Sequence, residues 1–308
     1  MEHMEHTEHM EHLQRLQRAM AGAGLDALLL GGEAAGQFAA GHTRIGVHMP
    51  GWPIPVAAVP ASGLPHVVTA DPDGALGLPA DHVHGMMWNP ETLVSELPQW
   101  LGGGSGPGTG LRIGIDAMSP GGRALIEAAL PGCTMVDGTR LLAEVMLVKS
   151  AEEVKALGEL CLMVTAAAEQ GLKGGRTALL RALNGAFTVA YPRVSDRSVQ
   201  VAIRREGMIA EARLGPGDAA RGERALEALR TGCSAGEVAA SLPPGVHVTG
   251  IGWGYEAPLM RDGWATPDDL LLQPGAVLAV RWDACGVTAA LDEAGTRLLS
   301  WSPEEVAL

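Results

Sequence analysis

Apolar residues recur with a helical period at the start of the chain and with strand-like periods soon after. Leu13, Leu16 and Met20 share a helical spacing, and Gly22 and Gly24 follow, so the pattern predicts a helix over 13–24. The apolar run within Leu25–Leu30 reads as a buried strand, and Ile54–Val59 and Pro65–Ala70 read as further strands. Leu111–Asp116 predicts a strand, Pro120–Ala129 a helix and Cys133–Val136 a short strand. This alternation is that of an α/β domain over 13–146, preceded by a 1–12 extension. A second domain, 147–308, opens on Ser150 and Glu153, three residues apart in a capping box, at the head of a helix to about Gly171. Helices are expected over Thr177–Ala190, Asp218–Thr231 and Ala235–Leu242. Strands are expected over Val246–Trp253, Ala276–Trp282, Thr288–Leu291 and Thr296–Leu299.

Between those helices lies the most informative alternation, Ser198–Leu214. Two strand-like runs flank R-R-E-G and predict a β-hairpin. Val199, Val201 and Ile203 share one face; Gln200, Ala202 and Arg204 share the other; Ile209, Glu211 and Arg213 share a face of the second run. Placing Arg204 opposite Gly207 puts Gln200 opposite Glu211.

Composition narrows the function classes. The 308 residues carry a formal charge of −13, so binding to nucleic acid or an anionic membrane surface through a basic face is not expected. No apolar run reaches spanning length, and no basic and apolar leader opens the chain. Cys133, Cys161, Cys233 and Cys285 form no Cys-x-x-Cys pair, which fits free thiols in a reducing cytosol and a cytoplasmic protein. The M-E-H-M-E-H-T-E-H-M-E-H opening spaces His3, His6, His9 and His12 by three. That spacing drifts round a helix, so the segment reads as a frayed or helical extension, or as residues upstream of the true start. His42 and His48 are read as solvated or hydrogen-bonded loop residues. The glycine-rich 101–110 neither follows a strand nor opens a helix, so it is not a phosphate cradle.

Three stretches together resemble the creatinase/prolidase/aminopeptidase P family. They are R-I-G-I-D-A-M-S with V-D-G-T-R-L-L-A-E-V-M-L-V-K-S-A-E-E-V-K-A-L; the hairpin; and G-I-G-W-G-Y-E-A-P with L-L-L-Q-P-G-A-V-L-A-V-R-W-D and L-D-E-A-G-T-R-L-L-S. The resemblance implies an α/β N-terminal domain plus an α+β C-terminal pita-bread domain (the creatinase/aminopeptidase fold), here shortened. It also implies a homodimer.

The same resemblance implies two divalent metals on two Asp, one His and two Glu, because several carboxylates must offset two dications. Carried over by motif, the two Asp positions, eleven residues apart, hold Gln200 and Glu211. The His position holds Thr249, the first Glu position Arg281, and the last Glu position Gly286 or Val287. No histidine stands between His84 and His247, where the family's upstream catalytic His would lie.

The expected protein is therefore metal-free and peptidase-like, with no cofactor and with an Arg281–Glu211 ion pair where metals would sit. It is expected to bind a small-molecule or peptide ligand, or a protein partner. One alternative is a metal-independent, creatinase-like amide hydrolase with His247 as base and Glu256 or Glu211 as acid or orienter. A third reading is a true Xaa-Pro dipeptidase. In Gly254–Pro258 the family's His is replaced by Tyr255 while Glu256 remains. The segment reads either as a turn or as a ligand contact through Tyr255 and Glu256, with Trp253, Trp264 and Trp282 nearby.

Overall fold

The computed structural model describes residues 2–41, 55–70, 77–86, 89–101, 110–183, 188–205 and 207–300. His42 and His48 lie outside these residues, as do the side chains of His3, His6 and His9. The chain divides into two compact units, Met1–Val145 and Met146–Leu308.

The first unit carries α1 (Glu2–Gly22), β1 (Ala27–Leu30), α2 (Glu33–Ala40), β2 (Ala57–Pro60), β3 (His66–Thr69), β4 (Val83–Gly85), α3 (Pro90–Val94), α4 (Leu97–Trp100), β5 (Arg112–Ile115), α5 (Pro120–Ala129) and β6 (Thr134–Asp137). The helix α6 (Thr139–Leu147) runs across the unit boundary. The six strands form one mixed sheet in the order β4-β3-β2-β1-β5-β6, with β1 parallel to β5 and antiparallel to β2. Every residue of β1 is buried, which is why that strand reads as a continuous apolar run rather than an alternation. The histidine-rich opening and the predicted 13–24 helix are one continuous helix. Leu13, Leu16 and Met20 are buried, and His12 stacks on Phe38 at 4.7 Å between ring centroids.

Three histidines meet on this sheet's edge. The His66 ring stacks on His82 at 4.1 Å, and its Nδ1 lies 3.1 Å from His84 Nε2. Burial, then the neighbouring His82 and His84, lower the His66 pKa from 6.5 to about 4, with Asp81 acting the other way. Burial also lowers His84, against the nearby Glu96. An unfolded chain takes up the His66 proton near 6.5. The stability from neutral His66 is thus fully present above that pH and lost as pH falls through about 4. Melting followed by circular dichroism is expected to show a Tm that drops over this window and a shallower drop in His66→Gln. An unchanged pH slope in that variant would remove His66 from the account.

The second unit contains α7 (Ala151–Leu183), β7 (Thr188–Val194), β8 (Val199–Arg205), β9 (Met208–Leu214), α8 (Ala219–Ala228), α9 (Ala235–Ser241), β10 (Val246–Ile251), β11 (Tyr255–Arg261), β12 (Trp264–Thr266), β13 (Val277–Trp282), β14 (Cys285–Asp292) and β15 (Gly295–Leu298). Its sheet runs β12-β11-β10-β13-β14-β9-β8-β7, with β15 added to β14. The capping box forms: Ser150 Oγ accepts from the Glu153 amide, and Glu153 Oε2 accepts from the Ser150 amide. Leu157, Cys161 and Val164 of α7 pack with Val201, Ile203 and Ala210 in one core, leaving the opposite face of β8 and β9 to polar residues. Burial pushes the Cys161 thiol up to about 12. Among the described residues no helix is long and apolar enough to cross a membrane.

Three expectations change. The helix expected over Thr177–Ala190 extends only to Leu183, and Thr188–Val194 is an edge strand on β8, in keeping with the Asn184–Gly185 break and the aromatic and β-branched residues that follow it in sequence. Gly254–Pro258 is not merely a turn: Tyr255–Arg261 is a strand paired with β10. The hairpin register also shifts. Arg205 pairs with Met208, so Gln200 faces Arg213 and Ala202 faces Glu211. The left-handed φ of 83° falls on Gly207, which places the turn one residue later than the sequence suggested.

Candidate functional site

The corrected register aligns polar side chains into one row across the second sheet. Arg193 pairs with Gln200, Gln200 with Arg213, Arg213 with Gly286, and Gly286 with Arg281. Beyond Arg281 the row continues to His247 and then Arg261. Directly opposed residues project from the same face, so β7, β8, β9 and β13 present three guanidiniums and an amide to one side. Gly286 adds no side chain, and a Cβ there would lie 3.3 Å from both Cβ and Cδ of Arg213. The arginine stem therefore lies across the position where the resemblance implied a carboxylate.

Glu211 stands one step off this row and is buried at 6% exposure. Its Oε1 accepts from Arg281 Nε, its Oε2 accepts from the Tyr255 hydroxyl at 2.8 Å, and Arg213 Nε is 3.8 Å away. Arg281 Nη1 donates to Thr249 Oγ1 at 3.0 Å, and its guanidinium lies over the Tyr255 ring, 5.0 Å from the centroid. The Arg281–Glu211 contact expected from the sequence is thus present in the geometry. Burial first, then Glu211, raises the Tyr255 phenol well above its ordinary range. Burial, then the adjacent Arg281 and Arg193, lowers the Arg213 guanidinium, while Glu211 acts against them.

These side chains surround a cavity of about 390 Å³, within the size range of small-molecule sites. Gln200, Glu211, Arg281 and Tyr255 line it, joined by Arg193 and Arg213, which sequence reasoning did not place in the site. The signal for Arg213 was available, since it lies two residues from Glu211 on the same strand face. Arg193 lies beyond the helix expected over Thr177–Ala190, in a stretch to which the sequence reading gave no strand.

The five positions carried over from the resemblance come together: Gln200 and Glu211 share the cavity, Thr249 bonds Arg281, and Gly286 pairs with Arg281. Val287 is the next residue of β14 and points to the other face. The donors do not suit a divalent cation. The site offers one carboxylate, both of its oxygens accept hydrogen bonds, and its neighbours are guanidiniums that keep their protons. Among the described residues no three His, Cys, Asp or Glu side chains gather as a metal site.

His247 and Glu256 fall elsewhere. His247 does not line the cavity and stands in the row between Arg281 and Arg261. Glu256 does not line this cavity and is half of a buried ion pair, with Oε2 2.6 Å from Lys149 Nζ and side-chain exposures of 3% and 0%. Its Oε1 accepts from the Trp253 amide at 2.6 Å, while the Trp253 indole donates to Glu153 at 2.9 Å. Burial raises the Glu256 carboxyl, and Lys149 pulls it back. Gly252 makes room for this pair, since a Cβ there would come within 2.3 Å of Lys149 Cε. Gly252 thus serves packing around Lys149, whereas a Cβ at Gly250 would meet the Ala257 carbonyl oxygen on β11. Trp253 and Trp282 are buried and Trp264 is exposed, and none of the three lines the cavity.

No protein-family profile and no curated protein matches the chain. Solved structures do. The dipeptidase PepE from Mycobacterium ulcerans is 20% identical with a TM-score of 0.67, over 97% of each chain. An Xaa-Pro dipeptidase from Bacillus anthracis is 16% identical with a TM-score of 0.63, covering 96% of this chain and 98% of its own. An X-Pro aminopeptidase from Thermotoga maritima MSB8 is 14% identical with a TM-score of 0.67, covering 94% of this chain and 98% of its own. The chain has their fold, the pita-bread fold of the prolidases and aminopeptidase P.

Proposed function

We propose that this chain, built on the fold of Xaa-Pro peptidases, is a metal-free, peptidase-like protein that binds a small-molecule or peptide ligand in its cavity and does not cleave it. The observation that carries this reading is Arg281 Nε donating to Glu211 Oε1 where the fold's relatives would need carboxylates around a cation. A fixed positive charge raises the cost of bringing in a dication, and the acceptor oxygens a metal would use are already engaged. Metal-independent amide hydrolysis by His247 with Glu256 or Glu211 is less well supported, since His247 stands off the cavity, Glu256 is held by Lys149, and both oxygens of Glu211 are engaged by Arg281 and Tyr255.

The test is metal analysis by inductively coupled plasma mass spectrometry after loading with Mn²⁺, Co²⁺ or Zn²⁺, combined with a panel of Xaa-Pro dipeptides. The expected result is well under one metal per chain and no release of proline. Stoichiometric metal accompanied by proline release would overturn the reading in favour of a true dipeptidase.

A further inference from the structure

The cavity's charge is unbalanced. Arg193, Arg213 and Arg281 line it against one carboxylate, Glu211, leaving two positive charges among the described lining residues. Arg281 is accounted for by Glu211 and Thr249. The surplus sits on the other two arginines. Arg213 is largely buried, with 26% of its side chain exposed, and its Nε has no hydrogen-bond partner. A buried guanidinium donor without an acceptor is costly, and the remaining cavity volume is where an acceptor can sit.

We infer that Arg193, Gln200 and Arg213 form an oxyanion clamp for the phosphate group of a small organic monophosphate. The three residues are consecutive in the cross-strand row, Arg193 on β7, Gln200 on β8 and Arg213 on β9. Neighbouring strands lie about 4.8 Å apart, so the two guanidiniums rise from backbones about 10 Å apart, with the Gln200 amide between them. All three side chains rise from the same face of the sheet and line the one cavity. A phosphate monoester supplies three terminal oxygens and a charge of about −1.5 to −2 at pH 7, which matches the surplus of two positive charges. A single carboxylate brings half that charge and two oxygens. The cavity, at about 390 Å³, holds more than a phosphate group, which leaves room for an organic substituent beside Ala202 and the Tyr255 ring.

This assignment rests on the metal-free reading, because a dication would displace the arginines from the same space. Isothermal titration calorimetry in low-chloride buffer tests it with phenyl phosphate, inorganic phosphate, benzoate and Mn²⁺ as probes. Phenyl phosphate is expected to bind one per chain, at least tenfold tighter than benzoate. Arg193→Gln and Arg213→Gln are each expected to weaken phenyl phosphate at least tenfold, and Arg230→Gln, on the exposed surface away from the cavity, to leave it unchanged. Arg193 is exposed on an edge strand, so its variant retains the fold and carries the test even where Arg213→Gln unfolds. Equal binding of benzoate, no binding of either phosphate, or full affinity in Arg193→Gln would overturn the clamp. If phosphate and Mn²⁺ both fail to bind, the clamp alone is wrong. If Mn²⁺ binds stoichiometrically, the metal-free reading falls with it.

Discussion

Glu256→Leu is expected to lower the unfolding free energy by about 3–5 kcal/mol, because it leaves the Lys149 ammonium buried without its counter-charge. Among the described residues the ammonium is left with the Met146 carbonyl as its hydrogen-bond partner, and its side chain is 0% exposed, so bulk water does not reach it to replace the lost carboxylate. The double variant Lys149→Met with Glu256→Leu removes the charge as well as the partner. It is expected to recover most of that loss, since a well-packed apolar pair can match a buried ion pair. Urea denaturation of the two variants isolates Lys149, because both carry leucine at position 256. Equal destabilisation of both would mean that volume and not charge decides the effect. The same pair closes the G-I-G-W-G segment over the start of α7. Loss of Glu256 is therefore expected to act on folding and to leave phosphate affinity in the surviving folded fraction unchanged.

Arg281→Met is expected to cost less, about 2–3 kcal/mol, although it also strands a buried carboxylate. The difference lies in the remaining partners. Glu211 keeps the Tyr255 hydroxyl at 2.8 Å, and Arg213 Nε, already 3.8 Å away and without a hydrogen bond, can close on it. That rearrangement has a readout beyond stability. If Arg213 turns to Glu211, the proposed clamp loses one arm, and phenyl phosphate binding weakens although Arg281 is not one of its three residues. The ordering matters more than either figure: Glu256→Leu should exceed Arg281→Met in urea. The reverse order would show that the cavity pair, and not the Lys149 pair, is the more isolated from other charges.

Much of this architecture was legible in the chain. Periodicity located β1, β3, β5, α5 and the hairpin, and the Ser150–Glu153 spacing identified the start of α7, because each depends on side chains a few residues apart. The substitutions at the five carried-over positions were legible once the resemblance had placed them, and the Arg281–Glu211 contact followed from those positions together with their opposite charges. Two misreadings have different causes. Asn184–Gly185 is a break signal and F-T-V-A-Y is rich in strand-favouring residues, so the end of the helix expected over Thr177–Ala190 was legible locally and was missed. Glu256 looked like a pocket residue because its partner, Lys149, lies 107 positions away in sequence.

The sequence by itself determined which side chains share a face of each strand, since a period of two requires only the extended backbone. That was enough to put Glu211 and Arg213 on one side of β9; the expectation that the cavity repels cations came from Arg281 at a position the resemblance supplied. Which residues stand side by side across strands was decided by the tertiary structure. A two-residue slip of the hairpin preserves every face and changes every neighbour, so Gln200 lies between Arg193 and Arg213 and not opposite Glu211. Pairing of strands about 70 positions apart then brought Arg281 to Glu211. Register is set by the turn at Gly207 and by the packing of α7 against the buried face, and neither can be read from one strand alone.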